Sequence, residues 1–445
     1  MVSALGTGAE EFWNNCLAGA EVAAPIPDHW RDYASLRSEL WAPLPPLDYG
    51  RFGLSRIEQL QHDPVSLQAL AAAEQALAAA GIGRELVDPK LGRHRLAGPD
   101  PERCAVAIGT GCGGAYTLAG QAQHHLLAKP AAQLREWLKC DGAALAEEAQ
   151  ARLKQILAAL TFPSRFNPFA VAMVMPNASA AALSIRYGLR GPAQTSCAAC
   201  ASGTVAIGQG YRAIRRGEAD LVLAGGSEYL RDDHGEFFRC FDLTGALTAG
   251  TDAADYCPFD ERHTGFLFSP GGAAVLVLED LGHARERGAP ILAEVAGFAE
   301  NSEAYHAIAL APDGASLTDL LHRLLREAGL AAEEIDYINS HGTGTPLNDT
   351  VEAQVLEAVF GHRPAINSTK ALLGHTLGAS GALEAVVTAS SLHHQTTHAC
   401  KNLRNPIRDL NFVTSVRPLA LQAAISHSCA FGGHNAALLL KRFEG

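Results

Sequence analysis

The chain has 445 residues, 48% of them hydrophobic and 18% charged, so it is long enough for more than one core and too apolar to stay disordered. Its formal net charge of −12 is spread along the sequence without any run of five like charges, which argues against nucleic-acid binding. Ten cysteines with no disulfide-framework spacing suit a reducing compartment, and no apolar run exceeds strand length, so a cytoplasmic protein outside the membrane is expected.

Pro64 to Ala80 is Ala/Leu-rich with helical spacing and stops at Gly81, which predicts a helix. The apolar run Cys104 to Ile108 reads as a buried strand. Behind it, GTGCGG (Gly109 to Gly114) meets the G-x-G-x-x-G pattern of a dinucleotide loop. The acidic residue expected ~20 positions later at a second strand end is absent, because the chain from Leu118 reads as helix. Glycines at a strand-to-loop turn explain the motif better. Residues 118–162, polar and rich in Ala, Gln and Leu, read as an inserted helical cap.

A helix from about Ser202 to Arg216 and a strand at Leu221 to Leu223 come next. Arg212, Arg215 and Arg216 on that helix form either a basic patch for an acidic partner or a plain solvated face. Further strands are predicted at Ala273 to Leu278, Ile291 to Ala296, Ile335 to Asn339, Ala424 to Ser428 and Ala436 to Leu440. The alternation with helical segments gives an α/β fold. A short charged helix in Glu279 to Gly288 marks the boundary between two units, residues 1–280 and 281–445.

Two cysteines, Cys197 and Cys200, stand among small residues just before the Ser202 helix. A thiol there feels the positive end of the helix dipole, which favours the thiolate, and the small neighbours permit a tight strand-to-helix turn. The same pattern also fits a buried structural cysteine. The C-x-x-C spacing lacks the aromatic or proline context of a redox pair, and no second ligand pair stands near enough for zinc. NSHGTGTP (Asn339 to Pro346) places His341 in a loop at a strand end, and NSTKALLGHTLGASGALEA (Asn367 to Ala385) places His375 similarly, with Lys370 before it and Glu384 after. The histidines of HHQTTH (His393 to His398) read as a polar helix end.

These three blocks resemble the catalytic segments of β-ketoacyl-(acyl-carrier-protein) synthases of the KAS I/II type, in the thiolase-like superfamily. The likeness extends from MVSALG and FWNNCLAG through YGLRGPA, ADLVLAGGSE and PFDERHTGF to CAFGGHN. It implies a five-layered αβαβα fold of two similar halves, the first carrying the nucleophile and the second both histidines. By the same resemblance Cys200, not Cys197, is the nucleophile, and His341 and His375 are the active-site histidines. Lys370 and Glu384 support them, Thr343 and Thr345 contact a phosphopantetheine arm, and Phe431 gates the site, with the N–H groups of Cys200 and Phe431 as an oxyanion hole. The implied reaction joins a Cys-bound acyl chain to a malonyl unit with loss of CO₂, needing no metal or redox cofactor.

An acyl carrier protein and a homodimeric, or related heterodimeric, assembly follow as implied partners. The alternative is a non-elongating partner resembling a chain-length factor, although such partners typically lose the cysteine that stands here at Cys200. A thiolase would use a second cysteine as base, where this chain offers two histidines. Three departures stand out. GFLFSPGGAA (Gly265 to Ala274) lacks the glutamate usual after the GF pair, AFGGHN carries Ala430 and His434 where glycine and threonine are usual, and MVSALG in relatives follows an opening strand, which leads to the expectation of further residues upstream of Met1.

Overall fold

Two mixed sheets of matching order organise the chain, in a computed structural model that describes residues 1–140, 145–160, 166–361 and 363–444. The first sheet runs Gly6–Thr7, Val2–Ser3, Gly271–Glu279, Leu221–Tyr229, Cys104–Gly109, Ala193–Ser196. The second runs Ala293–Ser302, His434–Arg442, Ala423–Ala430, Tyr337–Asn339, Ala365–Asn367. In each, three neighbouring strands are parallel and the next ones outward turn antiparallel. The two sheets are therefore structural repeats without a tandem repeat in sequence. They differ at the outer edge, where the first sheet carries the further strand Gly6–Thr7, and in pairing: Ala293–Ser302 pairs along the whole of His434–Arg442, whereas Val2–Ser3 meets Gly271–Glu279 at Val2 opposite Ala273.

Between the sheets lie the helices Ser202–Arg215 and Ser380–His394, which touch each other and strands of both sheets. Small residues allow that layer to form. A Cβ on Gly208 would stand 2.3 Å from the Phe298 ring of the far sheet, and one on Gly203 would stand 2.8 Å from the Ala382 amide of the partner helix. Pro64–Ala79 and Ala178–Tyr187 cover the outer face of the first sheet, and Ala315–Ala328 with Pro346–Phe360 that of the second. This gives the αβαβα layering. Asp63 caps the Pro64 helix by accepting the Val65 N–H at 2.9 Å, and Gly81 in the left-handed region follows its end.

Several elements extend past their sequence signals. The strand at Leu221 continues through Gly225, Gly226 and Ser227 to Tyr229, and Gly226 lets the helical layer approach the sheet there: a Cβ on it would lie 2.9 Å from the Gly378 carbonyl. The strand expected at Ile291 to Ala296 instead spans Ala293–Ser302, and the one from Ile335 begins at Tyr337 after a 3-10 turn. The cap expected over 118–162 contains the helices Ala115–Cys140 and Glu147–Leu160, while residues 141–144 and 161–162 lie outside the described residues. Arg212 is paired with Glu300 and lies over the Phe298 ring, and Arg215 lies over Tyr211, so the arginine cluster is partly engaged within the chain. Among the described residues no helix is long and apolar enough to cross a membrane.

Candidate active site

The chain leaves the strand Ala193–Ser196 and turns sharply into the central helix, with Ala199 at φ +46 immediately before Cys200. Such a left-handed alanine costs roughly 1–2 kcal/mol, and the Ser202 hydroxyl holds the turn by accepting the Ala198 N–H at 2.9 Å and lying 2.7 Å from the Ala199 carbonyl. Cys200 ends 7% exposed at the floor of a cavity of about 390 Å³. Burial pushes its thiol up to about 12, although the Lys370 charge and backbone N–H groups of Phe431 and of Cys200 itself pull the other way. Desolvation thus works against the helix dipole expected to favour the thiolate, and favours the thiol form.

His375 Nε2 lies 3.1 Å from Cys200 Sγ. Its backbone is strapped to the departing segment of the sequence: the His375 N–H donates to Leu267 O at 2.7 Å, and the Ser269 N–H to His375 O at 3.2 Å. Its Nδ1 accepts the Leu377 N–H at 3.2 Å and lies 2.9 Å from Ser380 Oγ. A backbone N–H only donates, so Nδ1 is the bare nitrogen and Nε2 carries the proton.

His341 reaches the same tautomer by another route. Lys370 Nζ donates to His341 O at 2.7 Å, to His341 Nδ1 at 3.1 Å and to Glu384 Oε1, so its three protons have three acceptors. Nδ1 of His341 is thus also bare, and the two rings meet edge to face with centroids 5.5 Å apart. Desolvation holds both imidazoles well below the usual histidine range, with the nearby Lys370 charge acting in the same direction. Two neutral rings, each with a proton on Nε2, line the cavity with the thiol.

The other residues singled out in the sequence also gather here. Thr343 and Thr345 line the cavity with their hydroxyls 2.8 Å apart. Phe431 lines it from a turn with Gly432 at φ +82, and Phe241, Phe266 and Leu310 add apolar surface. Lys370 and Glu384 stand behind His341, both almost wholly buried. Cys197 is exposed and lines a separate cleft with Glu300 and His434. Among the described residues no group of three or more His, Cys, Asp or Glu side chains is placed to hold a metal ion.

Two carboxylates were not singled out beforehand. Glu352 accepts the N–H groups of His341 and Gly342 at 2.6 and 2.8 Å and lies 2.7 Å from His427 Nε2. Glu228 accepts the N–H groups of Gly111 at 2.6 Å and Cys112 at 3.3 Å, so the GTGCGG amides enclose a carboxylate of the chain itself. The available signal was burial: Glu352 sits beside Val351 and Ala353 in a helix, and Glu228 ends an apolar strand.

Family models describe residues 1–284 as "Beta-ketoacyl synthase, N-terminal domain" and residues 292–404 as "Beta-ketoacyl synthase, C-terminal domain". The chain is 32% identical to the 3-oxoacyl-[acyl-carrier-protein] synthase 2 of Rhizobium meliloti, an alignment covering 100% of this chain and 97% of that one. Its fold is similar to a β-ketoacyl synthase from Burkholderia phymatum, with TM-score 0.80, 29% identity and coverage of 100% and 97%. A second similar structure, a type II PKS acyl-carrier protein in complex with its ketosynthase bound to the hexaketide, gives TM-score 0.77 at 25% identity, with the same coverage. Matched in both halves and along its whole length, the chain belongs to the β-ketoacyl synthase family.

Proposed function

We propose that this protein is a 3-oxoacyl-[acyl-carrier-protein] synthase, an acyltransferase that joins an acyl chain held on Cys200 to a malonyl unit carried by an acyl carrier protein. The observation that carries this reading is the pair of neutral imidazoles, both protonated on Nε2, beside one buried thiol.

In the first half-reaction Cys200 Sγ attacks the thioester carbonyl of an acyl carrier, and the carrier thiol leaves with the proton that Cys200 gives up. The N–H groups of Cys200 and Phe431, already directed at this sulfur, receive the negative oxygen of the tetrahedral intermediate. In the second, a malonyl thioester takes the carrier's place. Its terminal C–C bond breaks, CO₂ departs, and the electron pair becomes an enolate whose oxygen accepts Nε2–H from His341 and His375. The enolate carbon then forms the new bond at the acyl carbonyl and expels Sγ. Neutral donors suit this step because they stabilise the enolate without protonating its carbon. Lys370 and Glu384 hold His341, Thr343 and Thr345 offer hydroxyls to the phosphopantetheine arm, and Phe431 gates the cavity.

The acyl carrier protein is the natural partner of such a site, and the ketosynthase that this fold resembles was solved with one. A homodimer is suggested by the strand Ala193–Ser196, which among the described residues pairs only with Cys104–Gly109, so that its other edge, beside the Cys200 turn, has no partner strand there. Ten free cysteines fit a cytoplasmic setting. A non-elongating chain-length-factor role is disfavoured, because thiol and both imidazoles remain together. Incubation with an acyl carrier followed by peptide mass spectrometry tests the assignment: the acyl group belongs on Cys200, and finding it on Cys197 overturns it.

A further inference from the structure

Glu228 is wholly buried in the first sheet, yet its side chain reaches the second half of the chain. Oε2 accepts the Gly111 N–H at 2.6 Å and the Gly378 N–H at 3.2 Å, and Oε1 accepts the Cys112 N–H at 3.3 Å and the Thr110 hydroxyl at 3.3 Å. The approach requires glycine at two places. A Cβ on Gly111 or on Gly378 would stand 2.6 Å from Oε2, and on Gly378 it would also stand 2.4 Å from the Gly111 amide. One carboxylate thus pins two loops from opposite halves against each other.

The loop on the histidine side is strained. Leu377, directly before Gly378, sits at φ +54, in the left-handed region that branched residues avoid. In that conformation its N–H points back at His375 Nδ1, 3.2 Å away. The other neighbour of Nδ1 is the Ser380 hydroxyl at 2.9 Å, which can donate or accept and so selects neither tautomer. Only the Leu377 N–H forces the proton onto Nε2, where it faces Cys200 Sγ at 3.1 Å.

We infer that Glu228 is a positioning residue for His375: by holding the Gly378 N–H it keeps Leu377 in its strained conformation, and through the Leu377 N–H it fixes the Nε2-protonated tautomer. The tautomer's use in condensation rests on the function proposed above, but the tether does not. A glutamine keeps one acceptor oxygen for Gly111 and Gly378 and can turn its amide toward Thr110 Oγ1, giving up the longer Cys112 N–H bond but preserving the tether to Gly378. An alanine removes it, and an aspartate withdraws it by one methylene.

Imidazole ¹⁵N NMR of the full chain, with His375 assigned by difference from His375→Asn, tests this directly. Burial raises the Glu228 carboxyl to about 7, so spectra are compared at pH 8, with the carboxylate formed. Wild type and Glu228→Gln are expected to show His375 with a bare Nδ1 and protonated Nε2. Glu228→Ala should move the His375 Nδ1 resonance toward the protonated position, with both tautomers populated, while His341, held by Lys370, stays unchanged as an internal control. If the alanine variant does not fold, Glu228→Asp is read in the same way. A folded Glu228→Ala or Glu228→Asp that keeps His375 wholly Nε2-protonated overturns the inference, as does an equal shift of His341, which would mark general loosening. Mixed tautomers with unimpaired malonyl decarboxylation support the positioning role and count instead against the part given to His375 in the reaction.

Discussion

His375 Nε2 faces Cys200 Sγ at 3.1 Å, and the nitrogen that would relieve Cys200 of its proton is the one already protonated. The pair is therefore arranged to donate a hydrogen bond to sulfur or to a substrate oxygen, and is poorly arranged as a base and nucleophile couple. Burial of the thiol and neutrality of the imidazole point to the same resting state.

The thiol predicts a pH profile. Burial raises Cys200 to about 12, so the reactive thiolate is scarce at neutral pH and grows as pH rises. Alkylation of the Cys200 peptide by iodoacetamide, followed by mass spectrometry, should accelerate about tenfold per pH unit between pH 7 and 9. A plateau below pH 8 would mean that the thiolate is already formed in the resting protein.

The histidines predict acid sensitivity. Burial holds both well below the ordinary histidine value of ~6.5, so as pH falls through that value the unfolded chain takes up protons that the folded chain refuses. The two histidines cost the fold nothing above pH ~6.5 and destabilise it progressively below, by up to ~1.4 kcal/mol per pH unit for each ring. Urea midpoints at pH 7.5 and 5.5 measure this, and a His341→Ala/His375→Ala variant should show a shallower fall.

Lys370 and Glu384 form a buried ion pair, and removing one member leaves the other charge without compensation. Lys370→Met should cost about 3–5 kcal/mol, whereas Glu384→Gln, which still accepts from Lys370, should cost less. Denaturant titration ranks the two variants, and a Lys370→Met variant as stable as wild type would contradict the pairing. Lys370→Met should also release the His341 tautomer, visible in the same ¹⁵N spectra.

The residues around the cavity were legible because their signals are local. Cys200 precedes a helix among small residues, and His341 and His375 follow apolar strands or loops rich in glycine, all readable within a few positions. Glu228 was not, because its partners Gly111 and Gly378 lie 117 and 150 residues away in the chain, and a carboxylate at the end of a strand carries no local mark of its use. The strand from Leu221 extends further than its apolar run for a related reason: Gly225 and Gly226 weaken that run, yet Gly226 is small because the helical layer packs on it, and a Cβ on Gly225 would meet the neighbouring strand at Ala274. At Cys200 the helix dipole is visible in sequence, whereas the burial that pushes the thiol up is not.

Malonyl decarboxylation in the His341→Ala/His375→Ala variant tests the central claim most directly. If the two Nε2–H groups stabilise the enolate, CO₂ release from a malonyl carrier should fall by at least ~10²–10³, the loss typical for one oxyanion donor, while acyl transfer to Cys200 stays within about tenfold of wild type. CO₂ release at the wild-type rate from a folded double variant would contradict the account.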